Sequence, residues 1–536
     1  MKILFIGLGS EQLGISILTS ILKREGHDVQ LVFTASLFHD RFNLEIPWLS
    51  KYFDETKEII DEIIEHQPDV IAFSCLTATF QWAIAIAKGT RAIHPNIKTI
   101  FGGVHVSAVP EVCLEYPEVD YAVVGEGDVA ITDIIKNIEE GVVDQPINNT
   151  QFKATDGSII KGKQVGFYQD LDELPFPDKT IWEPHVNLRD NYLIMASRGC
   201  PYTCSFCFNN FFAKLPDGKR GKFVRQRSVD NVIKELKWAK ERYKIKTVKF
   251  EDDVFTVNKA WIIEFCKKYK AEIDLPFNCL IHPQYFDEEI AEMMSIAGVN
   301  WIQMGIQTMD ENFKHQNLRR YEESNHIIKA LELIEKYNIK IKVDIMLGLP
   351  GESITSQETT LKLFKKHTPK RIQTFWTSFL PGTDMFKKAV ADGTVSKEKE
   401  HDLVHGIDFY FYRNKDNIKE LQLAKQYINY EFIYKILPLL PNYFKQRIEA
   451  KSVARIPKFI KVNLGTLMDM FNGLQSLNTD FIYYGNFYIQ NLIKFTLRRF
   501  GYNSYKITKA NNKVLSINNE TNKTSKTTTP TESLTH

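Results

Sequence analysis

An α/β chain in three parts is predicted: a doubly wound, Rossmann-like parallel sheet, then a partial (βα)6 TIM-type barrel, then a mainly helical region. Three patterns carry this. Apolar runs at residues 3–6, 29–33, 70–74, 99–101 and 121–124 alternate with helical periodicity up to about residue 140. Six further runs, at 192–195, 247–250, 277–281, 301–306, 341–347 and 372–379, alternate with helices over residues 191–395. Residues 396–507 are helical and aromatic-rich, with long stretches at 418–436 and 487–500.

Each element has a local reason. The loop from Gly7 to Gly14 leads into a helix over 15–22, which Gly26 closes. Residues 141–190 are polar, then proline-rich, and read as a linker, extended at 171–178. In the barrel region Ser228 caps a helix running to about 243. Asp287 starts another that Gly298 ends, and further helices fall at 324–336 and 355–366. The tail, 508–536, is rich in Asn, Thr, Lys and Ser and is expected to be disordered.

The length of 536 residues suggests about three domains. A hydrophobic content of 43% and a charged content of 25% are those of a globular protein. The formal net charge of +2 excludes binding driven by bulk charge, so no nucleic-acid partner is expected. No run of about 18 apolar residues occurs, so no membrane span is expected. Seven cysteines, three of them clustered, fit a reducing cytoplasm.

Those three, Cys200, Cys204 and Cys207, form a CxxxCxxC run on the loop after the first barrel strand. A zinc site needs a fourth ligand, and none follows closely; a disulfide leaves one thiol over. Three thiolates on one short loop suit three irons of a [4Fe-4S] cube, the fourth iron remaining open to a small molecule. Cys266 and Cys279 fall on apolar faces and read as core residues.

CxxxCxxC with an aromatic, Phe206, before the third cysteine resembles the signature of the radical S-adenosylmethionine (radical SAM) enzymes. The resemblance implies that the open iron chelates SAM, that the reduced cluster cleaves it to a 5'-deoxyadenosyl radical, and that Phe206 lies beside the adenine. Later strand ends extend it. FEDDVFT at 250–256 is similar to an acidic family segment near SAM, which places Asp252 and Asp253 by the cofactor. GIQT at 305–308 implies that Gln307 bonds the ribose. Arg320 is suited to pair with the SAM carboxylate, or is a solvated arginine. GLPGE at 348–352 resembles the family turn, in which Gly348, Pro350 and Gly351 fix a tight backbone beside the adenine. The third strand ends at His282, where relatives often carry arginine, and no role follows for it.

The N-terminal part has two readings. Gly7 and Gly9 begin a dinucleotide fingerprint, but Gln12 stands at its last glycine and no acid ends the second strand. The better resemblance is to the cobalamin-binding domain, through Ser74 and Leu76 of an SxL segment and the pair Gly102-Gly103. A small hydroxyl residue and two positions without side chains let a bulky nucleotide tail slide beside the sheet. With Gly14 aligned to the last glycine of the domain's DxHxxG mark, Glu11 stands at the histidine and Gly9 at the aspartate. The usual lower ligand to cobalt is therefore missing, as in cobalamin domains fused to radical SAM enzymes. GGVH at 102–105 and GEGD at 125–128 fit those domains too, although Asp128 also reads as a helix cap and His105 as a loop histidine.

The resemblance covers roughly residues 1–395 and implies a cobalamin-dependent radical SAM enzyme with a [4Fe-4S] cluster, SAM and cobalamin. It further implies a small-molecule substrate and an electron donor such as a flavodoxin or ferredoxin. By family analogy the deoxyadenosyl radical takes a substrate hydrogen, and the substrate radical, at a weakly activated carbon or phosphorus centre, takes methyl from methylcobalamin. A second SAM then remethylates the cobalt. No side chain is assigned a catalytic role. Ring closure or rearrangement by the same architecture is the alternative, as is a non-catalytic cobalamin sensor or iron-sulfur carrier. The cations Lys445, Arg447, Lys451, Arg455, Lys458 and Lys461 beside apolar residues read as a solvated helix face or as a surface for peripheral membrane contact or an acidic partner.

Overall fold

Strands Lys2–Leu8 and Asp28–Thr34 pair in parallel along their whole length in the computed structural model, which describes residues 1–40, 44–45, 47–215, 222–408 and 418–499. Val70–Ser74, Lys98–Gly102 and Tyr121–Val123 extend the sheet on the other side of Lys2–Leu8, all parallel. This order, second-first-third-fourth-fifth, is that of a doubly wound sheet. Alternate side chains enter two separate cores, Ile3 and Phe5 on one face, Leu4 and Ile6 on the other. Helices Leu13–Arg24 and Gly127–Glu140 pack together on the first face, Thr56–His66 and Phe80–Ile93 on the second.

Residues 141–190 are more than a linker. Thr150–Lys153 and Ile159–Lys161 add two antiparallel strands to the sheet edge. The segment after them has no regular strand or helix and is anchored by single buried side chains, Leu171, Lys179, Trp182, Val186 and Leu188. Trp182 is fully buried against Phe33 and donates to Ser16 Oγ at 2.9 Å. Lys179, also fully buried, bonds Glu11 and donates to the Leu193 carbonyl at 2.7 Å, which ties the first sheet to the first barrel strand.

The second sheet has six parallel strands in sequence order: Tyr192–Ile194, Val248–Phe250, Phe277–Ile281, Val299–Gln307, Lys340–Leu347 and Arg371–Trp376. The two edge strands do not pair with each other, so the barrel is partial. The last strand stops at Trp376, three residues short of the apolar run, because Thr377 turns to bond the Leu347 carbonyl. Ser228 and Asp287 cap their helices as expected, through Asn231 N and Ile290 N. Cys266 and Cys279 are core residues.

Helix Ile418–Ile436 covers the open barrel edge. It packs on Arg371–Trp376, with Trp376 Nε1 donating to Glu431 at 3.1 Å. Helices Lys458–Gln475 and Thr479–Arg499 follow. The second returns to the N-terminal sheet, where Arg498 pairs with Glu55 at 3.1 Å. Among the described residues no helix is long and apolar enough to cross a membrane. The tail 508–536 lies outside the described residues.

Candidate active site

A short antiparallel ribbon, Ser197-Arg198 against Arg225-Gln226, carries the chain from the first barrel strand to the cysteines. Gly199 sits at φ +87, and a Cβ there would lie 2.3 Å from the Phe223 carbonyl oxygen, so only glycine passes. Asp252 holds the base of the ribbon. It is buried and accepts from the Ala196 amide at 3.1 Å and the Ser197 hydroxyl at 2.5 Å. Burial raises its carboxyl to about 6, against those bonds. The sequence places Asp252 by the cofactor, yet both of its oxygens are engaged in positioning the loop.

Cys204 is buried, Cys200 and Cys207 half-buried, and all three thiols are free. The loop is fastened from outside: Ser205 donates from its amide to Leu318 O at 3.0 Å and from its hydroxyl to Asn317 O at 2.5 Å. Burial is the main reason why Cys200 is pushed to about 12 and Cys207 to about 11, and the neighbouring thiols raise both further. The three groups are thus close enough to feel one another. Among the described residues no three His, Cys, Asp or Glu side chains form a ready-made site for a single metal ion. Three mutually coupled thiols on one pinned loop are a donor set for a multi-iron cluster instead.

Arg320 is almost fully buried. It bonds Glu322 through Nε at 2.7 Å and the Gly305 carbonyl through Nη2 at 2.8 Å. Its positive charge opposes the upward push of burial on the Cys204 thiol. It is neither solvated nor free to offer its whole fork to an external carboxylate. Glu322, fully buried, further faces Lys314 at 3.8 Å and His282 at 3.6 Å. Burial opposes ionisation of Glu322, but these partners outweigh it and hold its carboxyl at about 2. His282 stacks on Tyr202 at 3.9 Å and shares a 2.7 Å hydrogen bond with its hydroxyl. Sequence reasoning missed Tyr202, Lys314 and Glu322. Burial reveals Lys314 and Glu322, and the stacking on His282 reveals Tyr202.

Phe206 packs with Phe313, Leu318, Met346 and Leu349, the last inside GLPGE, so the structure brings the aromatic to that turn. Gly348 and Gly351 hold φ +73 and +79 around Pro350. Glu352 is buried beneath, bonded by Gln357 and by Tyr427 of the C-terminal region, and burial raises its carboxyl to about 7. Gln307 ends its strand at φ +66, next to a register shift.

A cavity of about 400 Å³ joins the carboxyl ends of the first sheet to this loop. Gly14, Ser74, Gly102 and Gly103 line it from one side, Gly199, Asn209 and Asp253 from the other. Asp253 accepts from Asn209 at 2.7 Å. Gly14 has open space where a Cβ would stand, whereas one on Gly103, at φ +93, would lie 2.7 Å from both N and O of Cys75. Leu76 is not part of the lining; it is 45% exposed, the chain having turned away from the sheet as Thr79 Oγ1 caps its amide. Among the described residues no histidine lines the cavity. His105 is fully buried elsewhere, bonded to Thr77 at 3.1 Å and held at about 4 by burial. Glu11, at the missing histidine's place, is committed to Lys179. A wide, largely apolar slot with glycine walls would admit a cobalamin, with Gly14, Ser74, Gly102 and Gly103 along it.

Two acids of GEGD reach across the seam. Asp128 takes both Nη atoms of Arg198, and Glu126 both of Arg225, the latter at 2.7 and 2.9 Å. Paired on the ribbon, the two arginines latch the cysteine loop to the first domain.

Fold and site together define a two-cofactor radical protein: a glycine-walled slot in a doubly wound sheet opens onto a three-cysteine loop of a partial barrel. The B12 binding domain model matches residues 6–135 and the radical SAM superfamily model residues 194–364. The chain belongs to the cobalamin-binding radical SAM enzymes. It is 27% identical over 72% of its length to an uncharacterized methyltransferase of Pyrococcus horikoshii, covering 80% of that protein. It is 22% identical over 72% of its length to the cytidylyl-2-hydroxyethylphosphonate methyltransferase of Streptomyces wedmorensis, covering 79%. With an anaerobic magnesium-protoporphyrin IX monomethyl ester cyclase of Rubrivivax gelatinosus it shares 23% identity over 62% of its length and spans 60% of that protein. The cobalamin-dependent SAM radical enzyme OxsB, solved with aqua-cobalamin and SAM, shares the fold at a TM-score of 0.63 and 16% identity, over 93% of this chain and 75% of that one.

Proposed function

We propose that this enzyme methylates a weakly activated carbon or phosphorus centre of a small-molecule substrate. The observation that supports it is the shared cavity, in which Ser74, Gly102 and Gly103 face Gly199, Asn209 and Asp253. When bound, the cluster with SAM supplies a 5'-deoxyadenosyl radical and the cobalamin a transferable methyl group. In this reading the chain's own residues hold and orient. Cys200, Cys204 and Cys207 ligate the cluster; Phe206, Gly348, Pro350 and Gly351 seat the adenine; Gln307 faces the ribose. Asp253 stands at the cavity side of the loop, and Gly14, Ser74, Gly102 and Gly103 admit the cobalamin. Asp252 and Arg320 act as positioning residues, the first on the loop backbone and the second on Cys204. The electron donor is a flavodoxin- or ferredoxin-like protein of the cytoplasm. Proteins similar to this chain include methyltransferases by name, one of them of a phosphonate, and a cyclase.

The test is to feed methyl-deuterated SAM and candidate substrates to the anaerobically reconstituted protein. A deuterated methyl in the product, dependent on added cobalamin, is expected. Product that forms with 5'-deoxyadenosine but lacks the label, and has lost hydrogens, assigns ring closure instead and overturns methylation.

A further inference from the structure

Helix Lys458–Gln475 carries its polarity the wrong way round for a helix in water. Its inward positions are Lys461, Gly465, Asn472 and Gly473, all buried. Phe459, Leu467, Phe471 and Leu474 point outward, between 55% and 68% exposed. The inward residues have local reasons: Lys461 Nζ bonds Asn429, Asn472 bonds the Lys370 carbonyl at 3.0 Å, and the glycines admit Phe432 and Phe481. The outward ones belong to none of the apolar cores formed by the described residues. Helix Thr479–Arg499 adds Ile489, Ile493 and Leu497, spaced by four and exposed by 59%, 54% and 41%. A water-facing helix shows the reverse pattern, and apolar surface of this extent marks a contact site.

Charge says what kind of contact. The preceding segment carries Lys445, Arg447, Lys451 and Arg455, Lys458 opens the helix, and the segment's one acid, Glu449, is paired with Lys451 at 2.8 Å. Tyr443 and Phe444 stand beside them, 62% and 57% exposed. On Lys458–Gln475 the one acid, Asp469, is taken by Arg371 at 2.7 Å. We propose that this face docks on an anionic lipid bilayer, the apolar side chains entering the acyl boundary and the cations meeting lipid phosphates. Since no helix among the described residues can span, the contact lies on the surface. The same face of a second copy fits less well, because it brings the same cations, and its two acids, Glu449 and Asp469, are already paired.

The test uses the full-length reconstituted enzyme, co-sedimented with vesicles of phosphatidylcholine alone or mixed with phosphatidylserine. Binding only to the mixed vesicles, weakened by salt, is expected. Leu467→Glu with Phe471→Glu abolishes it, while the thermal unfolding temperature and cluster absorbance remain those of the parent. Lys451→Ala and Lys458→Ala each weaken it about five-fold. Absence of binding to the mixed vesicles overturns the proposal, as does binding that the double glutamate variant retains. A concentration-dependent oligomer, lost in that variant and formed without vesicle binding, overturns it in favour of self-association.

Discussion

Asp128 and Arg198 meet in a two-pronged ion pair, with oxygens and guanidinium nitrogens 2.9 and 3.0 Å apart. Arg198 stands just before the Gly199-Cys200 turn, so the loop that carries the thiols is anchored to the helix that lines the cavity. Asp128→Asn keeps the shape and removes the charge. A loss of about 1–2 kcal/mol in denaturant unfolding is expected, because the mostly buried guanidinium keeps only Glu126, 3.4 Å away, as its counter-charge. Methyl transfer falls more than 5'-deoxyadenosine formation, which product analysis by mass spectrometry resolves.

Each cluster cysteine is required on its own. Cys200→Ala, Cys204→Ala and Cys207→Ala are expected to lose most bound iron and all 5'-deoxyadenosine production, as read by iron analysis and chromatography. Cys266→Ala and Cys279→Ala keep both, and lose only the stability expected of a small core deletion, about 1 kcal/mol.

Gly103→Ala tests the slot. Its Cβ would collide with the Cys75 backbone, and φ +93 suits no other residue. A loss of about 2 kcal/mol and at least tenfold weaker cobalamin binding in a spectroscopic titration are expected, with the iron content unchanged.

Glu352 gives stability a pH dependence of known sign. Its carboxyl rises on folding from 4.5 to about 7, so the folded state holds the proton more tightly. The contribution is fully present below pH 4.5 and is lost as pH climbs to about 7. Glu352→Gln retains a neutral hydrogen-bonding group. Its unfolding free energy, compared with the parent by denaturant titration across that window, is expected to gain steadily as pH rises, by about 3 kcal/mol in all.

The strands that build both sheets announce themselves as apolar runs because each is buried on two faces, and the cysteine loop announces itself by spacing. Thr150–Lys153 does not: four residues with one buried aromatic become a strand only because the edge of Tyr121–Val123 is there to pair with. The Arg198–Asp128 latch and the Arg320–Glu322–His282 cluster are equally silent, since partners 70 or 40 positions apart leave no periodic trace. Arg320 illustrates the limit. Its residue type suits a cofactor carboxylate, whereas its burial assigns most of it to Glu322 and Gly305.

The pairing of Arg498 with Glu55 joins positions 443 residues apart. A ribosome adding about 5–20 residues per second needs roughly 20 to 90 seconds to make that stretch. The N-terminal sheet therefore leaves the exit tunnel long before the helix that covers its outer strand exists. The side of Phe33 that Phe487 covers waits in the open meanwhile, which makes late synthesis the interval in which chaperones matter most to this chain.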